Sequence, residues 1–421
     1  MIDNVEITTL ANGLRVVSED MPRLQTASLG VWVDVGTRYE PAEVNGVAHM
    51  LEHMAFKGTE RRSARAIAEE IERVGGSLNA YTSREHTAYY ARILAGDVDL
   101  AADILADILQ HSAFDPDELE KERHVVLQEI GQVKDTPDDL VFDLLQEASY
   151  PDQPMGRAIL GPEEIVAVMP REAMIDYMAR HYGPSRLVFA GAGRVEHARL
   201  VDLAGRLFGS LPATVGAAAV PANYVGGTRI ERRPDLEQVH LCLAMEAVPY
   251  HHPDHFVLQV LSTALGGGMS SRLFQEAREN RGLCYSVFSF ASAYADTGQL
   301  GVYAGTDPED LGELMQVVAA ETRQLIDDPS EDELARARAQ LKASLLMGLE
   351  SCSSVCEDLA RQLLCFGRHI PTEEVVARID AVDTAAVRRA GRQLLTGKGL
   401  TLAAVGPLDA LPNVDLSALA A

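Results

Sequence analysis

Two halves of this chain repeat one another, and that repetition limits the folds open to it. Asp117-Glu118-Leu119 followed by Arg123 recurs as Asp332-Glu333-Leu334 followed by Arg338, each at the head of a long helical stretch. The elements before each copy also run in one order. The first half offers the hairpin signal VEITTL, Asn12-Gly13, LRVVSE and the alternating strand 28–36. Helical runs follow at 47–57 and SARAIAEEIERV, then strand-like runs at 77–82 and 86–94 and the helix DVDLAADILADIL. The second half offers QVHLCLAME, HFVLQVLSTALGG, SSRLFQEARENR, CYSVFSFASAY, GQLGVYAGT and DPEDLGELMQVVAAETRQL. Shared order around a shared tetrad points to an internal duplication. The 421 residues are too many for one core. The predicted class is α+β, with two related domains at 1–212 and 228–421. The joining stretch 213–227 is rich in Pro, Gly and Ala and carries no charge.

Chemistry is concentrated in GVAHMLEHMAFKGT, residues 46–59. No proline or internal glycine interrupts Val47 to Lys57, so the segment predicts a largely buried helix. His49 and His53 stand at i and i+4, so both imidazoles leave one face about a turn apart and can share a metal ion. Glu52 lies on the same side, placed to take a proton from a water held by that metal. H-x-x-E-H is a zinc-peptidase signature, the inverse of H-E-x-x-H.

Two imidazoles leave a zinc ion short of a third protein ligand. In the duplicated long helix, Glu122 and Glu129 fall against Ala337 and Ser344 of the second copy, which also lacks any H-x-x-E-H. The two carboxylates are seven residues apart, about two turns, and so share a face. Either could reach the metal, leaving the other to act behind it or on substrate.

Composition excludes several classes. A net charge of −25 argues against nucleic acid, which calls for a basic surface, and suits cationic ligands. The N-terminal stretch has neither the basic nor the apolar region of a secretory signal, and no apolar run approaches a membrane span, so no membrane role is expected. Five scattered cysteines without a C-x-x-C pair predict free thiols in a reducing compartment such as the cytoplasm. Cys352 and Cys356, and the cluster His251, His252 and His255 beside Pro253, are weak alternative metal sites: the first lacks a nearby partner, and the second reads as a loop entering a helix.

With these residues in view the chain resembles the M16 (pitrilysin, insulinase-like) metallopeptidases, in the short bacterial branch similar to the β subunit of mitochondrial processing peptidase. The likeness runs through LANGLRVVSE, GVAHMLEHMAFKGTERR, GGSLNAYTSREHTAYYARIL, ELEKERHVVLQEI, LGGGMSSRLFQEARENRGLCYSV and DELARARAQLKASLL. Met50 and Cys284 depart from the family's usual small or apolar residues without removing a functional group. The resemblance implies one Zn2+ per chain on His49, His53 and Glu129, Glu52 as general base, and Glu122 as a supporting acid that is no ligand. It implies substrate pairing along the edge strand at Asn79 and Ala80. In the C-terminal domain it implies that Arg278 holds a substrate carbonyl and Tyr285 donates to the oxyanion. It further implies mostly antiparallel sheets packed with helices, forming half of the clamshell that long family members build from one chain. A homodimer, or a heterodimer with an M16 paralogue, is therefore expected.

The expected function is a zinc endopeptidase acting on unfolded, preferentially basic peptides. The alternatives are a non-catalytic scaffold or partner subunit, whose relatives lose motif residues, and a structural metal site, which would unfold on chelation.

Overall fold

Every residue of the strand Thr26–Val33 after the first is buried, which requires cover on both faces of its sheet. The computed structural model describes residues 4–214, 216–414, 416 and 419. In its first unit six strands, β1 (Val5–Thr9), β2 (Arg15–Asp20), β3 (Thr26–Val33), β4 (Ser77–Thr82), β5 (Thr87–Leu94) and β6 (Leu187–Gly193), lie in the order β1-β2-β6-β3-β5-β4. All pairs are antiparallel except β2 with β6. The Asn12-Gly13 turn closes the β1–β2 hairpin as a wide loop, with Leu10 N–H on Leu14 O and Gly13 at φ +93°.

The period of two divides the strand side chains between two cores. Val16, Leu29, Val31, Val33 and Tyr89 face the helices α1 (Val47–Ala55), α2 (Ala64–Arg73) and α3 (Val98–Gln110). Val17, Trp32, Ala88 and Val188 face the helix Cys352–Phe366 through Val355, Leu359 and Leu363. The metal-motif helix stops at Ala55, two residues short of the predicted Lys57.

The second unit contains β7 (Gly227–Arg232), β8 (Val239–Ala247), β9 (Cys284–Ala293), β10 (Gly298–Thr306) and β11 (Thr401–Gly406), in the order β7-β11-β8-β10-β9. Its single parallel pair is β7 with β11. Strand for strand this repeats β2-β6-β3-β5-β4, so the duplication visible in the sequence is written in the topology. Leu241, Leu243 and Met245 of β8 pack on the helices His255–Gly266 and Leu311–Asp327.

The compact units differ from the two contiguous halves by one reciprocal exchange. The first comprises Met1–Ile130, Arg157–Val220 and Leu346–Pro371, and the second Gly131–Gly156, Pro221–Leu345 and Thr372–Ala421. The boundary thus falls inside the long helix α4 (Pro116–Asp135). The next helix, α5 (Pro137–Ser149), covers the other face of the second unit's sheet, with Leu140, Val141 and Leu145 against Cys242, Ala244 and Val405. Its counterpart from the second half, Cys352–Phe366, covers the first unit's sheet. A second departure lies at SSRLFQEARENR, where Phe274–Asn280 winds as a π-helix and Leu283 N–H reaches Ala277 O.

Candidate active site

α1 and α4 meet at three polar atoms. On α1 the His49 and His53 rings lie 4.7 Å apart between centroids. On α4, Glu129 Oε2 stands 3.5 Å from His49 Nε2 and 3.4 Å from His53 Nε2. α4 begins where Asp115 Oδ1 accepts the N–H groups of Asp117 and Glu118, at 2.9 and 3.2 Å, which satisfies the free donors of its first turn. Its buried stripe is Leu119, Glu122, Val126 and Ile130, so Glu122 occupies a position where spacing alone would put an apolar residue.

The structure separates the two carboxylates that spacing left equivalent. Glu122 Oε2 is 3.0 Å from His53 Nδ1, on the side of the ring turned away from Glu129. Its other oxygen pairs with Lys57 Nζ at 2.6 Å, so a carboxylate only 5% exposed has two partners. A Glu122 bond to Nδ1–H fixes the tautomer that leaves the Nε2 lone pair free. Glu129 faces both Nε2 atoms.

These donors fit a metal ion. Ligands about 2.0–2.1 Å from a tetrahedral zinc are separated by about 3.4 Å, the spacing of the Glu129 oxygen from each imidazole nitrogen. Burial, and then the neighbouring His53, push His49 down to about 4, so its imidazole is neutral at physiological pH. A neutral Nε2 and a carboxylate oxygen facing each other without a hydrogen bond call for a cation. Among the described residues, one group of three or more His, Cys, Asp or Glu offers atoms this close, and it is His49, His53 and Glu129. The His251, His252 and His255 cluster does not assemble so; His252 Nδ1 accepts the Asp254 N–H at 3.1 Å.

Glu52 stands apart from the three. Thr82 Oγ1, at the end of β4, donates to Glu52 Oε2 at 2.6 Å. Burial raises the Glu52 pKa above the ordinary carboxylate value, and the Thr82 bond opposes that rise.

β4 ends the sheet. Ser83 N–H bonds His86 O, and the register pairs Asn79 with Tyr90 and Ala80 with Tyr89. The antiparallel alternation then turns the N–H and C=O of Ala80 toward the open edge. Asn79 Oδ1 accepts that Ala80 N–H at 2.9 Å.

Arg278 and Tyr285 belong to the second unit. Arg278 lies on the π-helix, with its guanidinium carbon 4.6 Å from the ring centroids of both Phe274 and Tyr285. Tyr285 is the second residue of β9 and is 75% exposed. Cation–π contact with both rings holds the Arg278 guanidinium beside them.

Sequence reasoning missed Lys57, Thr82 and Phe274. Lys57 and Phe274 each stand four residues from a predicted site residue, His53 and Arg278, a spacing that could have flagged them. Thr82 had no such signal, being 30 residues from Glu52.

Residues 15–163 match the family described as Insulinase (Peptidase family M16), and residues 169–341 match the Peptidase M16 inactive domain. A probable mitochondrial-processing peptidase subunit beta of Arabidopsis thaliana is 42% identical over 423 residues, 97% of this chain and 80% of the relative. An uncharacterized zinc protease of Bacillus subtilis is 39% identical over 406 residues, 96% of this chain and 99% of the relative. The crystal structure of a protease from Helicobacter pylori superposes with a TM-score of 0.90 over 97% of this chain and 100% of that one; at 23% identity the likeness is one of fold. Fold and site together define a metallopeptidase built from two related α+β units. The chain belongs to the M16 peptidase family.

Proposed function

We propose that this protein is a zinc-dependent endopeptidase for unfolded peptides, a reading carried by the convergence of His49, His53 and Glu129 beside a non-ligand Glu52. Zinc on those three residues would polarise the scissile carbonyl and acidify water. Glu52 takes the proton of the attacking water and returns it to the leaving amine, and the Thr82 bond favours the ionised, basic form against the effect of burial. Glu122, braced by Lys57, orients His53. The open edge of β4 pairs with the peptide backbone once Asn79 releases the Ala80 N–H, which gives affinity with loose sequence demands. Tyr285 donates to the developing oxyanion and Arg278 holds a substrate carbonyl.

The active form is a pair of M16 chains. Because this chain carries both the metal residues and the Arg278–Tyr285 pair, two copies suffice, each Arg–Tyr pair serving the other copy. A metal-free paralogue is the alternative partner, favoured by the likeness to a processing-peptidase subunit. The scaffold alternative has no such support, since no motif residue is missing. All five cysteines are free, in keeping with a reducing cytoplasm, and no helix among the described residues is long and apolar enough to cross a membrane.

The test is hydrolysis of an internally quenched Arg-containing peptide by wild type, Glu52→Gln and chelated protein. The expected result is cleavage by wild type alone, with Glu52→Gln reduced by about a thousandfold while still binding zinc. Undiminished cleavage by Glu52→Gln would overturn the mechanism. Added salt should slow cleavage of the Arg-rich peptide and spare a neutral one; equal responses would remove the preference for basic peptides.

A further inference from the structure

We propose that Glu40 is a positioning residue of the metal centre, holding the first turn of α1 and with it His49. This inference rests on the metal reading above.

The start of α1 has no cap of its own. Its N-cap is Gly46, at φ +96° and without a side chain, and the first bond inside the helix runs from Met50 N–H to Gly46 O. The earlier amides of such a helix have no partner within it. Water cannot serve them, because Gly46, Val47 and Ala48 are buried. Glu40 supplies acceptors for two of them. Its Oε2 accepts Gly46 N–H at 2.8 Å and Asn45 Nδ2 at 2.7 Å, and its Oε1 accepts Ala48 N–H at 2.8 Å. Glu40 is 2% exposed, and Arg157 Nη1 fixes its main chain by donating to Glu40 O at 2.9 Å. A side chain at Gly46 is barred by its φ and by Leu160 O, 2.6 Å from where a Cβ would stand, so the cap must come from elsewhere.

His49 depends on that cap more than its neighbours do. His53 is held through Nδ1 by Glu122, and Glu52 by Thr82. His49 Nδ1 is buried with no hydrogen-bond partner. Its place is therefore set by the backbone of the first turn, three residues past Gly46, while His53 lies a full turn deeper. Fraying at the start of α1 would draw His49 away from His53 and Glu129 and leave those two in place. Only an acceptor with two equivalent oxygens meets all three donors. Glutamine in its place would turn an NH2 group toward an N–H.

The test uses the full chain with Co2+ and Zn2+ as probes. Glu40→Gln and the milder Asn45→Ala are compared with wild type well below their melting temperatures, with near-UV circular dichroism confirming the fold. Glu40→Gln should bind both ions about tenfold or more weakly and show weakened Co2+ d–d absorption. Its kcat should fall while KM changes little. Asn45→Ala should move the same way by less, and it carries the test if Glu40→Gln does not fold. Wild-type metal affinity and spectrum in the folded variant used would overturn the role of Glu40, whatever its melting temperature. A wild-type chain that binds neither ion would instead overturn the metal reading itself, so the two failures are distinguishable.

Discussion

Thr82 and burial pull the Glu52 carboxyl in opposite directions, burial raising its pKa and the 2.6 Å bond lowering it. Thr82→Val removes the donor and leaves the burial, so the Glu52 pKa rises. Since Glu52 must be ionised to act as a base, the acid limb of the kcat/KM profile moves to higher pH, and activity well above that limb changes little. A pH–rate profile of the variant checks this, and an unmoved limb would assign it to another group. At this scale the sequence was legible wherever partners share a helix. His49, Glu52 and His53 could be placed from a 3.6-residue period alone. Thr82 and Glu40 act from outside α1, and helical spacing carries no information about what tertiary packing brings against a helix.

As an element, β4 shows how an exposed edge is managed. Asn79 Oδ1 occupies the outward N–H of Ala80, blunting an edge that would otherwise invite any strand. Ala80→Pro removes that N–H without breaking the ladder to β5, because proline is tolerated where the amide faces outward. We expect it to lower kcat/KM for an extended peptide by up to roughly tenfold, the worth of one backbone hydrogen bond, with metal affinity retained. Steady-state kinetics alongside a zinc titration decides; unchanged kcat/KM would show that substrate does not pair there. Strands and helices were readable from alternation and period, as β4, β5 and α4 show. The π-helix at Phe274–Asn280 was not, because apolar spacing does not distinguish a four-residue hydrogen-bond step from a five-residue one over seven residues.

For the whole molecule, the Arg278–Tyr285 pair and the metal residues belong to different compact units, and the proposed trans arrangement has a sharp consequence. Glu52→Gln and the double variant Arg278→Ala, Tyr285→Phe should each be nearly inactive. After mixing and exchange of chains, about a quarter of wild-type activity should return, since half the dimers are mixed and each has one complete site. Mixing without recovery would place the pair in cis. The sequence by itself determined the duplication, the metal helix and the asymmetry between the copies, because these are written in order, period and spacing along one stretch of chain. It could not divide the roles of Glu122 and Glu129, which share a helical face; only the packing of α4 against α1 sets one on His53 Nδ1 and the other before both Nε2 atoms. Nor could it show that α5 and the helix Cys352–Phe366 each cover the sheet of the other half. An apolar helix face records that it must be buried, and the tertiary structure alone decides which sheet buries it.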